Sequence, residues 1–274
     1  MAHAPEGMGD ELNSEGRSKC VTVGLLGLGS IGQSVVQHLH EGAGVRIVGA
    51  LVRRPDVRSK FRDVPIFHSV NELLERGPDV IAEVAGHAAL KAHGPTILRS
   101  NSDLLITSVS ALADRAFFSE LQAAASATGR TVDIVAGAIG ALDAVTAAAV
   151  GRLDRVTYLN RRPPDQPLPH VMSDIPAVET EIFSGSVRQA VLKWPDNLSV
   201  AAALGFAGLG LDRTEVRIVV DPSVDKLHHE IDATGEFGQL RISVANPDSP
   251  SRLVAMSVVR ALQSRSWAPI RIVS

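Results

Sequence analysis

Two adjacent histidines, His228 and His229, open an apolar-alternating run, His228–Thr234, just after Asp221-Pro222. Imidazole titrates near neutrality, so a histidine can take or give a proton where most side chains cannot. Alternation along a strand sends neighbours to opposite faces, so only one of the pair can point into a cleft. Asp221 and Glu230 are placed to orient an imidazole. A different chemistry is written near the start of the chain, where Gly27-Leu-Gly29-Ser30-Ile31-Gly32 follows the apolar run Val21–Leu26 and precedes the apolar-periodic segment Ile31–Leu39. Gly27 can take a turn conformation closed to other residues. Gly29 lets a pyrophosphate approach the backbone, and Gly32 lets a helix pack closely on the strand. The helix N-terminus at Ser30 and Ile31 offers free N–H groups to phosphate. A strand before the glycines and a helix after them is the context that separates a dinucleotide site from any other glycine-rich turn.

The second apolar run, Val45–Val52, ends in Arg53-Arg54-Pro55. A carboxylate about 20 residues past the fingerprint would bind the ribose 2′-hydroxyl of NAD. Here two guanidinium groups occupy that place, and guanidinium pairs well with phosphate. The expectation is an NAD(P) site that accepts or prefers NADP; the alternative is a pair of solvated charges. Among the other histidines, His87 follows the run Ile81–Ala85 at a strand end and could face the cofactor or substrate. His38, His40, His68 and His93 read as solvated, and His170 falls in a polar loop. No HExxH zinc signature and no G-x-S-x-G elbow occurs, so no metal is expected.

These groups need elements to hold them. From residue 20 to about 136, short apolar runs alternate with helical patterns (Ala88–Arg99 and Asp114–Thr128 among them), which predicts βαβ units and a parallel sheet. Beyond residue 140 the pattern changes. A helix over Ala141–Val150 is followed by a strand at Arg155–Asn160 and a proline-rich loop from Arg161 to Pro169. Then come a strand at Glu181–Ser184, helices at Val187–Lys193 and Leu198–Gly208, and three β-like runs, Glu215–Val220, His228–Thr234 and Gln239–Ala245. That is an α+β segment with an antiparallel sheet, its last two strands joined at Gly235-Glu-Phe-Gly238. An amphipathic helix, Arg252–Gln263, should fold back onto the first domain. The expected plan is α/β: a Rossmann domain from 19–137 plus 246–274, an α+β domain from 138–245, and a disordered tail over 1–18. The net charge of −3 gives no general pull toward nucleic acid or anionic membrane. Cys20 is the single cysteine, read as a small buried residue, and a reducing cytoplasm fits.

Several motifs occur in order. They are Gly27-Leu-Gly29-Ser-Ile-Gly32, Glu83-Val-Ala85, Ser108-Val-Ser-Ala-Leu-Ala-Asp114, Gly137-Ala138-Ile-Gly140, Arg161-Arg162-Pro163, Pro195-Asp-Asn-Leu-Ser199, Gly210-Leu-Asp212-Arg213 and His229-Glu230-Ile231. Together they resemble the L-aspartate dehydrogenase family. The resemblance implies a Rossmann domain joined to an α+β domain that binds substrate and forms a homodimer. It implies oxidation of L-aspartate at Cα by NAD(P)⁺ to iminoaspartate, which feeds NAD biosynthesis or hydrolyses to oxaloacetate and ammonia. The family's catalytic histidine falls on His229, and its cofactor contacts fall on Ala138 and Ser199. His229, neutral, is then the expected base, and Arg161 and Arg162 are candidates for binding substrate carboxylate. The chain departs from the family pattern at Ser199 (for asparagine), Leu227 (for asparagine), Ser110 (for glycine) and Ala136 (for serine). Two other readings share the plan: a reductase of another amino or keto acid, like dihydrodipicolinate reductase, and a non-catalytic dinucleotide-binding regulator.

Overall fold

The computed structural model describes residues 20–39, 44–53, 63–166, 168–169, 176–246 and 250–266. The expected tail, His40, Arg54 and His170 lie outside them. The described chain runs β1 (Val21–Leu26), α1 (Ser30–His38), β2 (Val45–Leu51), β3 (Ile66–Phe67), α2 (Val70–Leu74), β4 (Val80–Glu83), α3 (His87–Arg99), β5 (Asp103–Ile106), a 3₁₀ turn (Val109–Ala113), α4 (Arg115–Thr128) and β6 (Val132–Ile134). It continues through α5 (Leu142–Ala148), β7 (Leu153–Arg162), β8 (Thr180–Ser186), α6 (Val187–Lys193), a 3₁₀ turn (Pro195–Asn197), α7 (Ser199–Ala207), β9 (Glu215–Val220), β10 (Leu227–Gly235), β11 (Gly238–Asn246) and α8 (Pro250–Ser264).

The first six strands form one parallel sheet in the order β3-β2-β1-β4-β5-β6. Strand order reverses between β1 and β4, and the crevice beyond the carboxyl ends of those strands is where open α/β sheets bind ligands. Its central strands β1, β4 and β5 are buried on both faces, as parallel strands covered by crossover helices must be. One apolar cluster joins β1 and β4 residues Val23, Leu25, Val80 and Ala82 to Val35 of α1 and to Ala255, Val258, Val259 and Leu262 of α8. The amphipathic last helix therefore buries its apolar side against the first sheet.

The other five strands form a second sheet, β11-β10-β7-β9-β8. It is mixed rather than antiparallel throughout, because β7 and β9 run parallel while the remaining pairs are antiparallel. The sharp join at Gly235 to Gly238 closes the β10–β11 hairpin, with Gly238 at φ +105. Helices α6 and α7 cover one face of this sheet. Their residues Val187, Ala190, Ala201 and Leu204 share a single cluster with Val156, Tyr158, Val216 and Ile231 of the sheet, and with Leu90, Ile97 and Leu121 of α3 and α4. The core is thus continuous between the two halves.

Two local readings differ from the sequence pattern. Arg161 and Arg162 are the last two residues of β7, not part of a loop; backbone pairing to β9 and β10 carries the strand up to Pro163. Cys20 is exposed, one residue before β1 begins to bury its side chains.

Candidate active site

The glycine fingerprint occupies the turn from β1 into α1. Gly27 adopts φ +104, and a Cβ there would stand 2.7 Å from that of Ala85. A Cβ on Gly32 would lie 2.6 Å from the Gly27 carbonyl, so the helix start is packed onto the turn. Gly29 has nothing within 4 Å of its would-be Cβ, leaving open space over the helix N-terminus. A cleft of about 570 Å³ lies there, lined by Gly27, Gly29, Arg53, Ala85, His68 and His93 among others. This is the space and backbone a dinucleotide pyrophosphate requires. Arg53 stands on its wall, where the sequence placed a 2′-phosphate partner. His68 is exposed, as expected, while His93 is half-buried. His68 Nδ1 meets the Val52 carbonyl at 3.1 Å, and burial lowers the pKa of His93.

Glu83, fully buried at the end of β4, shapes the same cleft. Its carboxylate accepts hydrogen bonds from the backbone N–H groups of Ala85 (2.9 Å), Gly86 (2.8 Å), Thr107 (3.3 Å) and Ser108 (3.0 Å), and from Ser108 Oγ (3.0 Å). One side chain thereby fixes the loops after β4 and after β5. Sequence reasoning gave Glu83 no role, because its five donors come from two loops that only the sheet brings together.

A polar cluster joins the halves beside this point. Ser110 Oγ lies 2.7 Å from His87 Nε2, 3.0 Å from Ser199 Oγ and 2.6 Å from the Pro195 carbonyl, while His87 Nδ1 is 2.8 Å from Asp196. Asp196, His87 and Ser110 have the spacing of orienter, base and nucleophile. A carbonyl can only accept, however, so the Ser110 proton goes to Pro195 and the hydroxyl is not poised to attack. His87 spends both ring nitrogens on protein partners. Two of the departures from the family pattern, Ser110 and Ser199, touch each other here. Ala138 is buried in the turn after β6, and its carbonyl receives Asn246 Nδ2 at 3.4 Å. Asn246 pairs with Leu227 across the hairpin, so this contact ties the entry of β10 to the first sheet.

Two residues into β10, alternation has sorted the histidine pair as expected: His229 is buried and His228 is partly exposed. On the covered face, His229 sits opposite Asn160, and Tyr158, Asn160 and Arg162 follow at every second position of β7. Tyr158 Oη is 2.5 Å from His229 Nδ1. His229 Nε2 is buried and, among the described residues, has no hydrogen-bond partner. Burial, with Arg162 and His228 nearby, lowers the imidazole pKa to about 4, so the ring is neutral at physiological pH. Arg162 is 8% exposed and donates to the Gln166 carbonyl (2.7 Å) and to Asn160 Oδ1 (3.1 Å). Among the described residues it has no carboxylate partner. Arg161, on the opposite face, pairs with Glu179, with Asp221 at 2.6 Å and with Glu230 at 3.3 Å. Asp221 and Glu230 therefore serve this arginine, not the imidazole.

Residues 143–265 match the family described as aspartate dehydrogenase, C-terminal, and residues 27–134 match the NAD-binding domain of homoserine dehydrogenase. The chain is 39% identical to an L-aspartate dehydrogenase of Ruegeria pomeroyi, over 90% of this chain and 94% of that one. It belongs to the L-aspartate dehydrogenase family. The L-aspartate dehydrogenase of Pseudomonas aeruginosa is 36% identical, over 89% of this chain and 97% of its own. The crystal structure of aspartate dehydrogenase from Thermotoga maritima superposes with a TM-score of 0.77 at 24% identity, covering 92% of this chain and 99% of that one. A dihydrodipicolinate reductase with bound dipicolinate shares the two-domain fold more distantly, with a TM-score of 0.54 at 14% identity, over 89% of this chain and 95% of that one. This family membership and the NAD-binding domain mark the chain as an oxidoreductase that uses a nicotinamide dinucleotide.

Proposed function

We propose that this protein oxidises L-aspartate at Cα with NAD(P)⁺, giving iminoaspartate and, after hydrolysis, oxaloacetate and ammonia. The observation that carries the reading is the pairing on the covered face of the second sheet: a neutral, buried imidazole with a free Nε2, beside a buried guanidinium that no carboxylate of the described chain neutralises. A buried cation without a counter-charge is costly, and a dianionic substrate would supply one. Arg162 is the residue we assign to a substrate carboxylate, and His229 the residue that meets the substrate at Nε2. Arg161 is neutralised by its own three carboxylates and is not assigned to substrate.

Gly27, Gly29, Ser30, Ile31 and Gly32 cradle the pyrophosphate. Arg53, with Arg54 beyond the described residues, faces the 2′-phosphate, so NADP⁺ is accepted alongside NAD⁺. Ala138 and Ser199 border the nicotinamide side, where Ser110 supports the Ser199 hydroxyl. Bound NAD(P)⁺ supplies the acceptor for the hydride leaving Cα. The protein holds Cα in one orientation, with Arg162 on the acid group and His229 on the reacting end; this replaces a chance encounter with a fixed geometry. His87 acts as a post between the halves, through Asp196 and Ser110. We place the active protein in the cytoplasm as a homodimer, and sedimentation velocity tests the second half of that statement.

The test is absorbance of reduced nicotinamide with purified protein, L-aspartate and either NAD⁺ or NADP⁺, repeated in reverse with oxaloacetate and ammonia. Turnover on aspartate supports the assignment. Turnover only on another amino or keto acid would move the substrate. Cofactor binding with no turnover on any of them would leave a regulator.

A further inference from the structure

We infer that Arg162, Asn160 and Tyr158 form a one-way chain of hydrogen bonds that holds His229 with its proton on Nε2, so that this nitrogen meets the substrate as a donor. The inference rests on the reading of His229 as the group that faces the substrate.

The direction of each link follows from what its atoms can do. A guanidinium only donates, so Arg162 Nη1, 3.1 Å from the Asn160 side chain, identifies the near atom as Oδ1. That fixes the amide, and Nδ2 then lies 2.9 Å from Tyr158 Oη and 3.5 Å from His229 Nδ1. An amide nitrogen only donates as well. The phenol oxygen therefore receives a proton from Asn160 and has its own to place. His229 Nδ1, at 2.5 Å, is the acceptor within reach. Burial keeps Tyr158 a neutral phenol by pushing its pKa up, and keeps the imidazole neutral by pushing its pKa down. A neutral imidazole that accepts at Nδ1 carries its hydrogen on Nε2, the nitrogen left without a partner among the described residues. The opposite tautomer would aim the Nδ1 hydrogen and the phenol hydrogen at one another.

The consequence concerns proton traffic. Nε2 already bears a hydrogen, so it cannot take one from the substrate ammonium group. Aspartate reacts with an amine already freed in solution, its proton having gone to solvent. Nε2–H instead donates to a substrate oxygen: the α-carboxylate in the forward direction, or the C2 carbonyl oxygen when oxaloacetate meets ammonia. A neutral imidazole can polarise a carbonyl in this way. Tyr158, Asn160 and Arg162 are positioning residues in this scheme, acting through His229.

The test is nitrogen NMR of the full chain carrying ¹⁵N-histidine, with the His229 ring signals assigned by their loss in His229→Gln. In the native protein Nε2 should show the shift and one-bond coupling of a protonated nitrogen, and Nδ1 that of an unprotonated one. Asn160→Asp reverses the polarity of the chain. A carboxylate accepts from the Tyr158 hydroxyl, the phenol oxygen then accepts from Nδ1–H, and the proton should move from Nε2 to Nδ1. In Tyr158→Phe the two forms should mix, and kcat/KM for aspartate should fall about tenfold with cofactor affinity unchanged. A proton on Nδ1 in the native protein, or no change of tautomer in Asn160→Asp, overturns the inference. The tautomer is read without turnover, so failure of the aspartate assignment would appear separately, as a correct ring state in a protein that does not oxidise aspartate.

Discussion

The covered and open faces of the second sheet are built from alternate residues of the same two strands, β7 and β10, and each face holds an arginine and a histidine. On the open face, Arg161 is surrounded by Glu179, Asp221 and Glu230, and His228 lies beside it, opposite in register and partly exposed. On the covered face, among the described residues, Arg162 meets only neutral acceptors and His229 is left with an unpartnered nitrogen. A single-residue step along β7 thus separates a guanidinium whose charge is already matched from one whose charge is not. An unmatched group has binding capacity to spend on a ligand, and this difference is the ground on which the proposed function puts the substrate on the covered face.

Substitutions can break that comparison. The largest effect is expected for His229→Ala, which should lower kcat by about 10²–10⁴ while NADP⁺ still binds, as steady-state kinetics and cofactor titration would show. Unchanged turnover would remove His229 from the mechanism. Next comes the arginine pair. Arg162→Met should raise KM for aspartate about ten- to a hundredfold, the worth of one or two charge-assisted bonds. Arg161→Met should leave KM within about twofold, because its charge is already matched by Glu179, Asp221 and Glu230 on the face away from His229. Equal effects from the two variants would erase the distinction between the faces.

Acid should act on the covered face selectively. His229 has a folded-state pKa of about 4 against an ordinary 6.5. Between those values the unfolded chain holds a proton there that the folded chain does not. Stability therefore rises with pH through this window and is lost as pH falls from about 6.5 toward 4. The full shift corresponds to about 3 kcal/mol. Urea midpoints measured at pH 7 and pH 5 should converge in His229→Gln relative to the native chain; parallel loss in both proteins would place the acid sensitivity elsewhere. The smallest effect belongs to the cofactor cleft, where Arg53→Ala should weaken NADP⁺ about tenfold and leave NAD⁺ unchanged.

Much of this was legible in the chain. The glycine fingerprint needs only local chemistry, and it lies where its spacing puts it. Period-two alternation separated His228 from His229 without any knowledge of their partners. The partners were not legible. Tyr158 and Asn160 reach His229 across 71 and 69 residues of sequence, through a register that no local pattern specifies. Pro163 and Pro164 made Arg161 and Arg162 look like loop, because proline ends a strand but does not show how far the preceding pairing extends. His93 looked solvated because the cleft that half-buries it forms only when β2 and α3 flank β1 and β4.

Glu83 has a consequence for the heat and entropy of cofactor binding. By gathering donors from the loops after β4 and β5, it orders both walls of the crevice when the chain folds. Ordering a loop costs conformational entropy whenever it occurs, and here that cost falls on folding and not on the arrival of the ligand. Calorimetry of NADP⁺ binding should therefore show a small entropic penalty. A Glu83→Ala chain that still folds should bind with a larger one, the loops then having to be ordered by the cofactor itself.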